Sequence, residues 1–406
     1  MRSKLLIITN RLIVGGISND IVPLAWYLKD EFEILIISGE KEEDEAEINF
    51  LLKLYPGLQF KKIDSFRKNI NPFNDRIAYT EIKREIKNFK PDIVHTHGAK
   101  SGLMGRLAAY KSKVPCIMHT YHGHHFHSYY NTLISSALTA LERMLGRITT
   151  VVIAISKWQK KELTETYKIV PEEKVKIIPL GIEPARIRTE PVTQRFIFRK
   201  KYKVEDDTIA IGIAGRIVPV KNLKLFVQVA KDLIAGSTKR LCFFIIGDGF
   251  LKKQIEEQCA ALNLPYTENE EEKADIIFTS WIEDIIPAIH AMDIVALTSN
   301  NEGTPMSLIE AQFCGKPVVA TDVGGVKDIV LDNETGFLVK AGDAAKLVER
   351  LKLLIENESL RKEMGAKAEA FAEENFSKQR EVENYRQLYQ NLLTPKNMKH
   401  SVPQHA

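Results

Sequence analysis

Short apolar runs alternate with amphipathic, helix-spaced stretches along this chain of 406 residues, and they do so in two series. The first holds Leu5-Leu-Ile-Ile, Glu33-Ile-Leu-Ile-Ile, Asp92-Ile-Val-His-Thr, Cys116-Ile-Met-His-Thr, Val151-Val-Ile-Ala-Ile and Val175-Lys-Ile-Ile-Pro. The second holds Ile209-Ala-Ile-Gly-Ile-Ala, Cys242-Phe-Phe-Ile-Ile, Asp275-Ile-Ile-Phe-Thr, Asp293-Ile-Val-Ala-Leu and Val318-Val-Ala-Thr. Alternation of this kind specifies parallel sheets covered by helices on both faces, an α/β architecture. Between the series, 183–207 is charged and carries Pro184 and Pro191, which puts a domain boundary near residues 185–195. The expected domains are 1–190 and 191–375. Val382, Tyr385, Leu388 and Leu392 have helical spacing within 376–393, and the polar stretch 394–406 is expected to be a flexible tail.

Bulk properties narrow the function classes. A chain of this length with 44% hydrophobic residues can bury two ordinary cores. Lys plus Arg (57) nearly balances Asp plus Glu (53), and the formal charge of +4 is too weak to argue for nucleic acid. Cys116, Cys242, Cys259 and Cys314 include no Cys-x-x-Cys pair, which argues against a disulfide framework or structural zinc and favours a reducing, cytoplasmic setting. Asn10 and Arg11 interrupt the first apolar run, so it reads as a strand and not a signal peptide, and no run approaches the roughly 18 apolar residues of a membrane span.

The richest segment for chemistry runs from Ser299 to Thr321. Glu302 follows the Asp293 strand directly, and Thr304 as N-cap with Pro305 at the first helical position would open a helix carrying Glu310. A second strand follows Gly315, and ligands in such sheets sit outside the carboxyl ends of the strands. Gly303, Thr304, Pro305, Met306 and Ser307 would line the helix mouth, where the N–H groups of all but Pro305 would offer donors, while Glu302 and Glu310 would offer acceptors. That mixture suits a polyol such as a sugar.

Gly215-Arg-Ile-Val-Pro-Val-Lys-Asn opens the second series, with Asn222 as N-cap for the following helix. Arg216 and Lys221 would flank a loop on the same sheet edge as Glu302, where a diphosphate would meet a forked guanidinium, an ammonium and a helix N-terminus. Alone, the motif is more simply explained as two surface cations beside a turn; with the Glu302 segment the diphosphate reading is the better one. In the first series, Gly15-Gly16 follows the opening strand and precedes Val22, Leu24, Ala25 and Leu28, so a phosphate or sugar could approach the backbone there; an ordinary strand-to-helix turn is the competing reading.

His119-Thr-Tyr-His-Gly-His-His-Phe-His invites a metal reading, but His122, His124, His125 and His127 lack the spacing that marks zinc sites. The expectation is no metal site, with His122 and Gly123 presented on a strand-end loop as hydrogen-bonding or acid-base groups. Trp281 and Glu283 could meet a nucleobase, against a simple packing role for the Trp, and Ile246-Gly-Asp-Gly reads as turn chemistry. The stripe Ile134, Leu138, Leu141, Met144 and Leu145 reads as core, with a membrane-surface helix as the alternative. Lys157, Lys160 and Lys161 beside Trp158 could likewise face anionic lipid or simply be solvated.

Taken together, Glu302 and Glu310 at eight-residue spacing, Gly215-Arg216 with Lys221-Asn222, Gly15-Gly16 and His122-Gly123 resemble glycosyltransferase family 4 of the GT-B fold, over roughly Lys4 to Leu393. The resemblance implies two facing Rossmann-like domains with a deep cleft between them. The second would hold a nucleotide-sugar donor, the first would hold the acceptor, and the last helix would return to the first domain. By position, Arg216 and Lys221 resemble the diphosphate clamp and Glu310 the acceptor of ribose hydroxyls. Glu302 with the amides of 303–306 resembles the loop that grips the donor sugar, His122 the crevice histidine near its 6-hydroxyl, and Gly16 the loop near the phosphates.

The family retains anomeric configuration. Retention through a carboxylate pair would need a nucleophile beneath the sugar, for which Glu302 is the obvious candidate. A front-face substitution, in which the departing diphosphate takes the acceptor's proton while Arg216 and Lys221 stabilise its charge, needs no extra base. No Asp-x-Asp motif is evident and no cofactor is expected. The implied activity is a metal-independent, retaining transfer of a hexose or N-acetylhexosamine, from a donor that is most simply UDP-linked, to a glycan or lipid-linked acceptor. Surface polysaccharide synthesis is the implied setting, in the cytoplasm with peripheral contact at the inner membrane face. A UDP-sugar epimerase of the same architecture and a non-catalytic nucleotide-sugar-binding protein are the alternatives.

Overall fold

The structure, a computed structural model, describes all residues except Met1, 14–15, 43–47, 124–131 and 395–406. It divides into two compact units, the first formed by Met1–Gly181 with Lys378–Ala406 and the second by Ile182–Ser377.

The first unit is built on a seven-stranded sheet. Its strands are β1 (Lys4–Arg11), β2 (Glu33–Gly39), β3 (Gln59–Ile63), β4 (Ile93–His97), β5 (Cys116–Tyr121), β6 (Val151–Ala154) and β7 (Val175–Ile177), in the order β3-β2-β1-β4-β5-β6-β7. Every pairing is parallel. Alternation along β1 divides the core in two: Leu5 and Ile7 pack with one set of side chains, Leu6 and Ile8 with another. On the Leu5 side lie the helices Gly16–Leu28 and Lys378–Leu392, contributing Ile21, Leu24, Leu28, Val382, Tyr385, Tyr389 and Leu392. Among the four positions expected to face the core in that last helix, Leu388 is only partly buried, and the core position beside it is Tyr389.

The second unit repeats the plan with β8 (Ile209–Ala214), β9 (Leu241–Ile246), β10 (Tyr266–Thr267), β11 (Ile276–Phe278), β12 (Ile294–Leu297), β13 (Val318–Thr321) and β14 (Gly336–Val339). They form a second sheet in the order β10-β11-β9-β8-β12-β13-β14, again parallel throughout. Ile209, Ile211 and Ile213 of β8 face one core cluster, and Ala210 and Ala214 face the other. The division between units falls at Gly181 and Ile182, ahead of the charged stretch. Within that stretch the helices Pro184–Ile187 and Pro191–Lys201 send Ile187 and Phe198 into the second unit's core.

The chain order turns back between β1 and β4 in the first sheet and between β8 and β12 in the second, where β11 is also inserted between β9 and the edge strand β10. Adjacent crossovers leave such a switch point in opposite directions, and the carboxyl ends of its strands frame a crevice.

The helix Thr132–Ile148 has Leu145 buried, while Ile134 and Met144 are exposed, so its apolar stripe is core only in part. Among the described residues no helix is long and apolar enough to cross a membrane.

Candidate active site

In the second unit the β8 and β12 ends carry the residues that the sequence singles out. After β8 the chain passes Gly215 and Arg216, makes a short 3-10 turn at Pro219–Lys221, and enters the helix Leu223–Gly236. After β12 it passes through Ser299 and Glu302 to the helix Met306–Phe313. Hydrogen bonds lace the two loops together: Thr298 Oγ1 donates to the Lys221 carbonyl at 3.1 Å, and the Asn300 amide donates to the Val220 carbonyl at 2.8 Å. Lys221 Nζ lies 2.6 Å from Glu302 Oε1, and Ser299 Oγ donates to the same oxygen at 2.5 Å. Ser299 is in turn fixed by Thr321 Oγ1, which donates to its carbonyl at 2.6 Å.

These loops border a cavity of about 230 Å³ lined by Gly215, Lys221, Gly247, Trp281, Ile282, Pro305, Met306 and Ser307, among others. It lies at the β8/β12 switch point. A larger cleft of about 710 Å³ opens at the other edge of the sheet, beside Ile209, Asp293 and Pro317 at the amino ends of β8, β12 and β13. Size alone would choose that cleft, but the convergent Lys221, Ser307 and helix N-terminus lie in the smaller one.

Several details differ from expectation. The helix begins at Met306 with Pro305, extended at φ −73° and ψ 105°, in the capping position, so Thr304 is not its N-cap. Proline fits there because the missing N–H is not needed, and Thr304 Oγ1 is left buried without a hydrogen-bond partner. Asn222 does precede its helix, but in the left-handed region at φ 47°, and its side chain makes no cap; it donates to Asn300 Oδ1 at 3.3 Å instead. Trp281 is 63% exposed and lines the cavity, which excludes a packing role. Arg216 and Glu283 are exposed and lie outside the lining set; Gly303 and Glu310 are half-buried, and Glu310 sits midway along its helix.

Two glycines that composition alone could not rank shape the same place. Gly247 has φ +135°, and a Cβ there would meet the Gly215 carbonyl oxygen at 2.2 Å, so the turn after β9 is part of the cavity wall. Gly324 has φ +55°, and a Cβ there would lie 1.8 Å from the Glu302 carbonyl oxygen. Only glycine lets the chain after β13 press against the Glu302 loop.

In the first unit, His122 follows β5, with Nε2 2.9 Å from Nδ1 of His97 at the end of β4 and 3.9 Å from Oδ2 of Asp20 on the helix Gly16–Leu28. Lys378 reaches Asp20 Oδ1 at 3.4 Å and also pairs with Glu381. Burial holds His97 and His122 below the ordinary imidazole value, so both are neutral near pH 7. Burial and the neighbouring Asp20 carboxylate push the Glu381 carboxyl up. Gly16 is exposed with open space about its α-carbon; Gly15, His124, His125 and His127 lie outside the described residues.

Two doubly wound units with parallel sheets, one of them carrying a cation, a carboxylate and a helix mouth at its switch point, define an α/β protein with a polar ligand crevice. The description "Glycosyltransferase Family 4" matches residues 14–186, and "Glycosyl transferases group 1" matches residues 194–371. The chain belongs to glycosyltransferase family 4, of the GT-B fold. It is 27% identical over 330 residues to UDP-Gal:alpha-D-GlcNAc-diphosphoundecaprenol alpha-1,3-galactosyltransferase of Escherichia coli, covering 79% of this chain and 81% of that protein. It is 26% identical over 345 residues to the capsular polysaccharide biosynthesis glycosyltransferase CapM of Staphylococcus aureus, covering 83% and 88% respectively. Among solved structures, Anabaena HepE in complex with UDP and glucose aligns with a TM-score of 0.78 at 19% identity, over 96% of this chain and 99% of that one.

Proposed function

We propose that this glycosyltransferase transfers a hexose or N-acetylhexosamine from a UDP-sugar to a glycan or lipid-linked acceptor, with retention of anomeric configuration and without a metal at the diphosphate. The observation that carries the reading is the Lys221–Glu302 pair at the mouth of the switch-point cavity. In the free protein these two groups neutralise each other. An incoming diphosphate offers Lys221 a stronger anionic partner, and sugar hydroxyls offer Glu302 new donors, so one ligand satisfies both halves of the pair.

Trp281 supplies an exposed aromatic face for the base, and Thr304 Oγ1 and the amides of Met306 and Ser307 are further polar groups at the same helix mouth. Exposed Arg216 is the proposed second cation of the clamp, Glu310 the ribose acceptor, and His122 a sugar-binding residue. UDP and the acceptor class are supported by the relatives: one uses UDP-galactose with a diphosphoundecaprenol-linked sugar, another serves capsular polysaccharide synthesis.

The chemistry follows from the charges. As the glycosidic bond to the diphosphate breaks, negative charge grows on the leaving oxygen, where Lys221 and Arg216 stabilise it. The same oxygens accept the proton of the acceptor hydroxyl on the face being vacated, which gives retention without a separate base.

Incubation with candidate UDP-sugars tests the whole reading. Release of UDP only when acceptor is present, with an α-linked product from an α-linked donor and turnover that persists in a chelator, is expected. Acceptor-independent sugar interconversion would instead identify an epimerase, and UDP-sugar binding without turnover a non-catalytic binder. Lys221→Ala and Arg216→Ala should each lower kcat by about 10²–10³, the cost typical of losing one preorganised charge donor, in proteins that keep their melting temperature.

A further inference from the structure

We propose that the cleft of about 710 Å³ at the amino ends of β8, β12 and β13 is a second ligand site, which takes the phosphate group of a small phosphorylated metabolite against Lys316, Arg361 and Lys239. Six cationic side chains line the cleft against four carboxylates, a net charge of +2. Three of the cations are already paired: Arg195 Nη2 lies 2.9 Å from Asp293 Oδ1, Lys362 Nζ lies 2.6 Å from Glu358 Oε1, and Arg240 pairs with Glu205. Among the described residues the other three make no ion pair. Lys316 Nζ donates to the His290 carbonyl at 3.0 Å, and Arg361 Nη1 donates to the Leu354 and Ile355 carbonyls at 2.6 and 3.0 Å. Lys239 is exposed, and its ammonium bonds to nothing among the described residues.

Packing fixes this arrangement. Gly365 of the helix Glu358–Phe376 comes so close to the Gly315 turn that a Cβ there would lie 2.1 Å from the Gly315 carbonyl oxygen. Arg361 is one turn earlier on the same helix face, so the close approach brings its guanidinium toward the turn that bears Lys316. Asp293 cannot serve Lys316 as a partner of its own, because Arg195 holds its Oδ1 and Arg199 Nη2 holds its Oδ2 at 2.6 Å. Charge on Lys316 is opposed by burial, Arg195 and Arg199 and favoured by Asp293 and Cys314, while His290, whose carbonyl it bonds, is held below the ordinary imidazole value by burial. An ammonium in that state gains more from an anionic ligand than a solvated one would. A forked guanidinium beside ammonium groups suits phosphate oxygens, and the volume falls within the roughly 300–1,000 Å³ of metabolite-sized sites, well beyond a lone phosphate.

The site is separate from the proposed diphosphate clamp. Ile209 borders the cleft and Ala214, at the other end of β8, borders the switch-point cavity, about 17 Å away at the rise of a parallel strand. The full chain carrying Arg216→Ala and Lys221→Ala, so that the clamp cannot contribute, is titrated calorimetrically with inorganic pyrophosphate at pH 8 in two buffers of different ionisation heat. Binding that saturates at one equivalent is expected, and Lys316→Met, Arg361→Gln and Lys239→Ala should each weaken it at least fivefold. Should Arg361→Gln unfold the protein through its lost carbonyl bonds, the exposed Lys239→Ala gives the same readout. With a pKa of about 8, Lys316 is half neutral at pH 8, and an anion beside it favours the charged form, so binding should take up about half a proton more than in Lys316→Met. Binding that does not saturate, that keeps its full strength in all three variants, or that takes up the same number of protons with and without Lys316 would overturn the assignment. The cations of the cleft would then serve only the fold.

Discussion

At the residue scale, Gly324 shows how a site can depend on an atom that is not there. Its φ of +55°, and the 1.8 Å that would separate a Cβ at this position from the Glu302 carbonyl oxygen, mean that Gly324→Ala must move one loop or the other. Because Glu302 holds Lys221, the shift reaches the proposed diphosphate clamp, and an ångström of misplacement costs about 10² in rate. Gly324→Ala should therefore lower kcat/KM by about 10–100-fold, with Tm down only a few degrees; unchanged kinetics would separate the loop from catalysis. Lys316 makes a contrasting case. Burial, aided by Arg195, lowers its pKa to about 8 from the ordinary 10.5. In the folded state its charge is therefore costly, fully so below pH 8 and progressively less as pH rises from 8 to 10.5, where the unfolded chain binds the extra proton. Lys316→Met should raise Tm at pH 7, and the gain should shrink by pH 10. The His290 carbonyl would not be orphaned, since Arg195 Nη1 also donates to it at 3.2 Å. The chemistry of Lys221 and Glu302 is readable in sequence as residue types in two loops; their mutual pairing is not, because it depends on the loop crossing made by Thr298 and Asn300.

At the element scale, the strands are readable because period-2 burial on both faces leaves unbroken apolar runs, as in Ile209 to Ala214. Helix ends are less so: Pro305 serves as the cap residue where the sequence suggests Thr304, a shift of one position that leaves the hydroxyl without a bond. In sequence the histidines form one linear cluster, whereas the structure gathers His122 with His97 and Asp20 from three elements. That gathering depends on the helix Lys378–Leu392, whose Lys378 and Glu381 are fully enclosed beside Asp20. Burial opposes the lysine's charge, but Glu381 and Asp20 outweigh it and hold its pKa above the ordinary value. Tyr389 of the same helix shares a 2.7 Å hydrogen bond with His95 Nδ1. Lys378→Met removes the cation between two buried carboxyls, and should destabilise the first unit by about 3–5 kcal/mol. Urea unfolding followed in that unit would detect it; a loss below about 1 kcal/mol, the scale of an exposed pair, would mean that the pair is not sequestered from water.

At the scale of the whole molecule, the two series of apolar runs correspond to two sheets, and what composition cannot show is where the chain passes from one unit to the other. Ile182 and Ser377 form an isolated bridge, and the Ile182 amide donates to the Phe376 carbonyl at 2.8 Å, so entry to and exit from the second unit lie side by side. The charged segment that reads as a boundary is instead the start of that unit, since helices tolerate charge on one face while Ile187 and Phe198 bury the other. A continuous segment with paired termini, its own sheet and core clusters on both sheet faces has the attributes of an autonomous domain. Residues 182–377 expressed alone should fold with a cooperative melt. On the proposed reading, UDP should raise that Tm in proportion to the logarithm of its concentration once binding saturates, and Lys221→Ala should weaken the shift. The first unit is discontinuous, so 1–181 without the final helix should not fold: Ile21, Leu24 and Leu28 would lose the cover of Val382, Tyr385 and Tyr389. A cooperative melt for 1–181 alone, or none for 182–377, would show that the units are not the independent bodies their cores imply.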